Sequence, residues 1–187
     1  MDKIYAGIGS RDSPPRIIEL MTDIGEYLAK KGYILRSGGA DGADTAFEKG
    51  CDAARGKKEI YLPWRSFNNN LSPLCSVTPA AMDLAELYHP AYEKLSHSSK
   101  LLMARNGFQV LGRDLQTPVR FIVCYTLDAQ VIGGTGQALR IAMDRKIPIL
   151  NLGDRKDETL ILQWLTLKLD FLEDIYYDLF GDGHEQV

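Results

Sequence analysis

Apolar positions along the chain alternate between short continuous runs and stripes of helical spacing. Five runs rich in Ile, Val, Leu, Tyr and Phe predict β-strands at 3–8, 33–35, 59–62, 119–125 and 148–151. Apolar residues that recur every three or four positions predict helices at about 14–31, 45–55, 138–145 and 158–176. This alternation of strands and helices predicts an α/β fold, a doubly wound parallel sheet of five strands with helices on both faces.

Residues 63–118 interrupt this alternation of strands and helices. About 55 residues separate the third and fourth predicted strands, where a simple crossover needs far fewer. Residues 63–70 have the composition of a loop, and helices are predicted at 79–88 and 91–112. We expect one domain over 1–187, with this segment inserted as a helical cover over one side of the sheet.

The predicted C-terminal helix at 158–176 is apolar almost all round, which is typical of a helix buried on two sides. Its large apolar residues are Leu160, Ile161, Leu162, Trp164, Leu165, Leu167, Leu169, Phe171, Leu172 and Ile175. Either the domain itself or a second subunit would cover the outer side. We expect a homo-oligomer, most simply a dimer.

Composition and charge exclude several classes of protein. No apolar run approaches the roughly 18–20 residues of a membrane span, so we expect no membrane association. The three cysteines are widely spaced and form no Cys-x-x-Cys pair, which fits a reducing cytoplasm without disulfides, metal or resident cofactor. The net charge is −3, but residues 170–187 carry six acids and no Lys or Arg. The remainder, with 22 basic and 19 acidic residues, is mildly favourable to a phosphorylated ligand.

Three glycine-containing segments follow predicted strands, at 9–11, 37–44 and 133–137. Glycine lets the backbone turn sharply and approach a ligand closely, and the free amides at the start of a helix favour an anion. In an open parallel sheet, ligands bind beyond the carboxyl ends of the strands where the strand order reverses. If the first and fourth strands are neighbours there, the three segments converge and form one phosphate-type site.

The same segments carry a resemblance. Gly9-Ser10-Arg11, then Ser37-Gly38-x-Ala40-x-Gly42-x-Asp44-x-Ala46, then Gly133-Gly134-Thr135 resemble the Rossmann-like core of the DNA-processing protein DprA. More broadly they are similar to the SLOG superfamily, which also contains the LOG phosphoribohydrolases and nucleotide-sensing domains. The resemblance covers 3–55 and 119–151. It implies a Rossmann-like fold and a nucleotide, nucleotide-sugar or single-stranded DNA ligand.

The candidate ligand-binding residues lie in or beside these loops. They are Gly9, Ser10, Arg11, Arg36, Ser37, Gly38, Gly39, Asp41, Asp44, Gly133, Gly134, Thr135, Gly136 and Gln137. Arg11 can hold a phosphate through two parallel hydrogen bonds. Asp44 is expected to accept backbone N–H bonds and hold the central loop. Asp41 is the candidate for ribose hydroxyls, or for a general base if the protein catalyses a reaction.

Two candidates come from the inserted segment. Trp64, with Phe67 nearby, is expected either to stack on a base or to pack in the core. Arg105 falls on the apolar face of the helix predicted at 91–112, where a buried charge needs a partner. A ligand phosphate, with Arg105 acting as part of a lid, and an internal carboxylate both satisfy that need.

The function we expect is binding of a phosphorylated nucleotide or nucleotide-derived signal, such as an ADP-ribose-like molecule. One alternative is nucleoside 5'-monophosphate N-glycosidase activity, as the resemblance to LOG enzymes implies. Their Gly-Gly-x-Gly-Thr-x-x-Glu motif, however, has Gln137 at the Thr position and Arg140 at the Glu position of this chain. A second alternative is DprA-like binding of single-stranded DNA, which needs a basic track. Residues 88–120 hint at one with five basic and two acidic residues.

Overall fold

The computed structural model describes residues 3–170, which form five strands and six α-helices. The strands are β1 (Ile4–Gly9), β2 (Ile34–Ser37), β3 (Lys58–Ile60), β4 (Phe121–Tyr125) and β5 (Ile149–Asn151). The helices are α1 (Pro15–Lys30), α2 (Ala43–Ala53), α3 (Pro79–Tyr88), α4 (His97–Leu111), α5 (Gly133–Asp144) and α6 (Arg155–Leu167). None of these helices is long and apolar enough to cross a membrane.

The strands form one sheet in the order β3-β2-β1-β4-β5, and every neighbouring pair is parallel. The chain runs outward from β1 through β2 to β3, then returns to the other side of β1 for β4 and β5. The order therefore reverses between β1 and β4, whose carboxyl ends flank the place where such sheets bind ligands. This arrangement confirms the predicted doubly wound, five-stranded α/β fold.

Alternate residues of the strands supply the two halves of the core, because successive side chains of a strand point to opposite faces. Tyr5 of β1 packs on one face with residues of α1, α2 and α6, among them Phe47 and Trp164. Ala6, the next residue of β1, packs on the other face with α4 and α5, including Leu139. Both faces of the sheet are thus covered by helices.

The inserted segment covers the second face. Its helix α4 lies against the sheet through Val110 and Leu111, and α3 packs outside it around Phe108. The helix predicted at 91–112 begins later, at His97, because Ser96 caps it by accepting a hydrogen bond from the amide of Ser99. The chain thus crosses from β3 to β4 through α4, which brings that helix beside the carboxyl ends of β1 and β4.

Two further predicted helix boundaries are wrong. The stretch 133–137 was predicted as a loop before a helix at 138–145, but it forms the first turn of α5, which begins at Gly133. The C-terminal helix ends at Leu167 rather than continuing through 158–176, since Lys168 adopts a left-handed conformation. Ile161 and Trp164 are buried while Leu162 and Leu167 are exposed. The predicted residues beyond 170 lie outside the described part of the chain.

Candidate functional site

A cavity of about 420 Å³ opens at the carboxyl ends of β1 and β4. All three glycine-containing segments contribute to it: Gly9, Ser10 and Arg11 after β1, Ala40 and Asp44 after β2, and Gly133, Gly134 and Thr135 after β4. The segments also meet directly, since the amide of Ala43 donates to the carbonyl of Ser10 (3.3 Å). The convergence expected from the sequence is therefore present in the fold.

The first turn of α5 forms one wall of the cavity. Ile132 precedes the helix and provides no side-chain cap. Within residues 3–170, the amides of Gly133, Gly134 and Thr135 have no hydrogen-bond acceptor. Amides at a helix start carry partial positive charge and lie where the helix dipole favours an anion. This wall offers free donors to an acceptor in the cavity.

Arg11 also lines the cavity and is exposed. In the part of the chain that the structure describes, its guanidinium has no ion-pair partner. Ser10 beside it is half-buried, and its hydroxyl oxygen accepts a hydrogen bond from the amide of Asp12 (3.2 Å). The guanidinium of Arg11 is thus available to a bound anion, with the Ser10 hydroxyl next to it.

Arg105 of α4 reaches the same cavity from beneath and is buried. Its Nη1 lies 3.3 Å from Oδ2 of Asp44, which is also buried. Desolvation lowers the pKa of Arg105, the Asp44 carboxylate opposes that shift, and the positive charge of Arg11 adds to it. An internal carboxylate is therefore the partner of the buried charge. The Nε of Arg105 has no hydrogen-bond partner in residues 3–170, so this side chain retains one unused donor.

Asp44 holds the central loop as predicted. Its carboxylate accepts a hydrogen bond from the amide of Ala40 (3.3 Å) from its place in the first turn of α2. Burial raises the pKa of Asp44, while Arg105 and the loop amides oppose that shift. The anion bound by this loop is thus the protein's own carboxylate. The free helix N-terminus at the cavity is that of α5.

Gln109 joins the loop to α4. Its side-chain oxygen accepts hydrogen bonds from the amide of Gly38 (2.9 Å) and from Nη1 of Arg105 (3.0 Å), and its nitrogen donates to Oδ1 of Asn106 (2.9 Å). The amide oxygen and nitrogen are assigned from these partners. Asn106 in turn donates to the carbonyl of Gly134 (2.8 Å). One polar network therefore connects the loop after β2 to the start of α5.

Several predicted site residues do not line the cavity. Arg36 is buried and forms an ion pair with Glu59 (2.6 Å), its register partner on β3, so it is not positioned to hold a ligand phosphate. Asp41 accepts a hydrogen bond from Nδ2 of Asn68 (2.8 Å) and lies outside the cavity. Its predicted role toward ribose or as a general base has no support from this placement and stays a prediction. Ser37 and Gly39 also lie outside it: the Ser37 hydroxyl donates to the carbonyl of Gly7 (2.7 Å).

Gln137 and Arg140 have structural partners instead of a ligand. The buried Gln137 donates to the carbonyl of Ala85 (3.2 Å), and its oxygen accepts from Nη2 of Arg140 (3.0 Å). Arg140 also donates through Nε to the carbonyl of Tyr88 (2.6 Å). This clamp ties α5 to the end of α3 and turns both side chains away from the cavity. Gly136, predicted with them, lies outside the cavity and packs against the Val131 backbone.

Trp64 does not line the cavity and is 37% exposed. Its ring packs edge-on against Phe67 with centroids 5.2 Å apart. The Phe67 ring centroid lies 5.9 Å from Cζ of Arg105. The aromatic pair thus supports the buried arginine from the side of the inserted segment and is not positioned for stacking within the cavity.

The sequence did not single out the remaining lining residues. They are Ile8, Asp12, Leu102, Met103, Asn106, Gln109, Thr126, Leu127, Ile132 and Ala138. Asn106 and Gln109 lie with Arg105 on a helix that packs in the core. Buried polar residues need hydrogen-bond partners, so three of them on one core helix could have indicated a polar site. Thr126 follows directly after β4, where the carboxyl-end rule predicts site residues. The exposed side chains of Leu127 and Ile132 gave no such signal.

Among the described residues, no group of three or more His, Cys, Asp or Glu side chains is placed to hold a metal ion. The donors around the cavity are instead amides, guanidinium groups and hydroxyls. Such groups recognise anions.

Comparison with known proteins finds no matching family model and no matching curated sequence. Solved structures do match. The molybdenum cofactor binding protein of Rippkaea orientalis is 18% identical, with 90% of this chain and 88% of that one covered and a TM-score of 0.55. The molybdenum cofactor carrier protein of Chlamydomonas reinhardtii is 18% identical, with 87% and 84% covered and a TM-score of 0.52.

The DNA processing protein A of Helicobacter pylori, described for its single-stranded DNA binding mode, is also similar. It is 17% identical, with 89% of this chain and 80% of that one covered and a TM-score of 0.56. At such identities the likeness concerns the fold. Together with the strand order, it shows that this chain has a Rossmann-like α/β fold similar to that of DNA processing protein A, as the glycine-loop motifs predicted.

Proposed function

We propose that this protein binds a phosphorylated nucleotide, or a signal derived from one, in the cavity between β1 and β4. The observation that carries the proposal is that the uncapped first turn of α5 and the exposed Arg11 line the same cavity. A phosphate between them would accept hydrogen bonds from the helix amides and pair with the arginine. Arg105 also lines this cavity and adds positive charge to it, partly balanced by Asp44.

The size and walls of the cavity suit the rest of a nucleotide. Its 420 Å³ falls within the roughly 300–1,000 Å³ typical of small-molecule sites. Leu102, Met103, Leu127 and Ile132 supply an apolar wall for a base. The hydroxyl groups of Ser10 and Thr135 also line the cavity and can form hydrogen bonds with sugar hydroxyls.

Two alternatives have weaker support. N-glycosidase activity needs a carboxylate at the sugar. Asp41 lies outside the cavity, Asp44 is engaged by Arg105, and Arg140 stands at the LOG glutamate position. The exposed Asp12 is the remaining carboxylate of the lining, and it lies outside the motif that the LOG enzymes use. Single-stranded DNA binding needs a basic track along 88–120. There, Arg105 is buried and Arg113 donates to Ser76, so the candidate track is interrupted.

The test is isothermal titration calorimetry of the full chain with AMP and with adenosine. AMP should bind and adenosine should bind much more weakly, because the phosphate provides the charged contacts. Arg11→Gln should weaken AMP binding by about tenfold or more. Arg145→Gln, which removes an exposed guanidinium on α5's far end, is the matched control and should leave it unchanged. Equal binding of AMP and adenosine would contradict the proposal.

The same samples discriminate the alternatives. Release of free adenine from AMP would favour the glycosidase. Oligonucleotide binding that is much tighter than AMP binding and falls steeply with salt would favour the DNA binder. Two structural neighbours are named for binding or carrying the molybdenum cofactor, so this cofactor should be titrated as a further candidate ligand.

A further inference from the structure

A second cavity of about 200 Å³ lies beside the first at the carboxyl ends of the strands. Leu127 lines both cavities, so the turn after β4 separates them. The second cavity is lined on its outer side by the starts of α1 and α6, with Arg16 and Arg155 among its residues. The two cavities therefore adjoin each other at the carboxyl ends of the strands, on either side of Leu127.

The second cavity offers the groups that a nucleoside needs. Tyr125 presents a half-buried aromatic ring to it. Asp128 and Arg155 are exposed there, and neither forms an ion pair within residues 3–170. The carboxylate can accept hydrogen bonds from ribose hydroxyls, the guanidinium can pair with phosphate, and the ring can pack on a base. Arg16, by contrast, is engaged by Glu158.

The turn between the cavities is held in a strained conformation. Asp128 and Ala129 both adopt left-handed backbone angles (φ 50° and 55°), which successive non-glycine residues rarely do. The turn persists because the amides of Ala129 and Gln130 donate to the carbonyls of Thr126 and Leu127 (3.1 and 3.0 Å). Strain of this kind is concentrated at binding sites, and here it holds Asp128 at the edge of the second cavity.

We propose that the second cavity is a nucleoside subsite and that the ligand is a dinucleotide, two nucleosides joined through phosphate. This inference rests on the proposed function: the first cavity holds the phosphate and one nucleoside. The second nucleoside crosses the turn at Leu127, packs against Tyr125 and places its ribose hydroxyls at Asp128. Arg155 contacts the linking or terminal phosphate on that side.

The experiment compares three ligands by isothermal titration calorimetry on the full chain: AMP, diadenosine pyrophosphate with a pyrophosphate linkage, and the dinucleotide pApA with a phosphodiester linkage. At least one of the longer ligands should bind about tenfold or more tightly than AMP. One added hydrogen bond to a charged group is enough to account for a gain of that size. The better of the two identifies the linkage. Equal affinity for all three would overturn this inference and leave the proposed function standing. No binding of any ligand would overturn both.

Two variants locate the gain. Asp128→Asn keeps a residue that tolerates the left-handed conformation, and Arg155→Gln removes only the charge. Each should lower the affinity for the longer ligand about tenfold and leave AMP binding unchanged. Asp83→Asn and Lys146→Gln, exposed positions outside both cavities, are the matched controls. A loss of AMP binding equal to that of the longer ligand would contradict the assignment of the second cavity.

Discussion

The guanidinium of Arg105 occupies the space that a side chain at Gly38 would fill, because a Cβ placed on Gly38 would overlap Nη1 of Arg105. The glycine is required here for the close approach of a helix side chain to the loop. In that position Nη1 reaches Oδ2 of Asp44 and the side-chain oxygen of Gln109. The conformation of the central loop and the placement of the buried arginine thus depend on each other.

Gly38→Ala should therefore destabilise the fold. Forcing a methyl group into this space displaces Arg105 from Asp44, and overpacking of a core typically costs about 1–3 kcal/mol. Urea denaturation measures the free energy of unfolding. Gly134→Ala is the matched control, because a Cβ there meets only the end of the Met103 side chain at 3.5 Å and Asn106 at 4.0 Å. A Gly38→Ala protein as stable as Gly134→Ala would contradict the tight contact.

The buried pair itself should behave as a unit. Asp44→Asn and Arg105→Gln each leave one buried charge without its partner, which typically costs about 3–5 kcal/mol. The double variant removes both charges and should cost clearly less than the sum of the single losses. A double-mutant cycle on the unfolding free energy measures this coupling. Strictly additive losses would show that the two side chains do not interact.

The α3–α5 clamp should contribute to stability and not to ligand affinity. Arg140→Gln removes the donors to Tyr88 and Gln137. Losing such hydrogen bonds costs about 1–3 kcal/mol. Thermal unfolding should show the loss, while AMP should bind to the variant with unchanged affinity. A variant of normal stability that no longer binds AMP would instead place Arg140 at the ligand.

The three cysteines should differ in reactivity. Burial raises the pKa of Cys51 to about 11 and raises that of Cys124 further, whereas Cys75 is partly exposed. Only thiolates attack disulfide reagents, so at pH 8 Cys75 should react first. Cys51 should stay slow until the pH approaches its raised pKa, provided that the fold persists. Mass spectrometry of Ellman's-reagent adducts over time assigns the sites, and fast labelling of Cys51 at pH 8 would contradict its burial.

The spacing of apolar residues and the positions of the glycines predicted the strands, the parallel sheet and the convergence of the three loops. These features can be predicted because each depends on residues that are close together in the sequence. The sequence assigned Asp44 to holding the loop, which the structure shows, but it could not tell that Asp41 lies outside the cavity. Both lie in one glycine loop, and only the start of α2 turns Asp44 inward to Ala40. Arg36 was misjudged for a related reason: its partner Glu59 depends on the register of β2 against β3, which the sequence does not display.

The sequence also could not predict which side chains from distant segments form pairs. The polar residue inside the apolar face of α4 signalled that Arg105 needs a partner, but left a ligand and an internal carboxylate equally open. The fold decided for Asp44, 61 residues away in the chain. The start of α5 at Gly133 was not predicted, because a run of glycines is typical of a loop and gives no helical pattern.

The most direct test of the account is a titration of the ¹⁵N-labelled full chain with AMP, followed by amide chemical shifts. The largest shifts should fall on Gly133, Gly134 and Thr135 and on Ser10 and Arg11, because these amides surround the cavity where the phosphate would bind. Asp41 and Gly39 should move little, since their loop amides lie outside it. Saturable shifts centred on 39–41, with the amides of 133–135 unchanged, would contradict the proposed site.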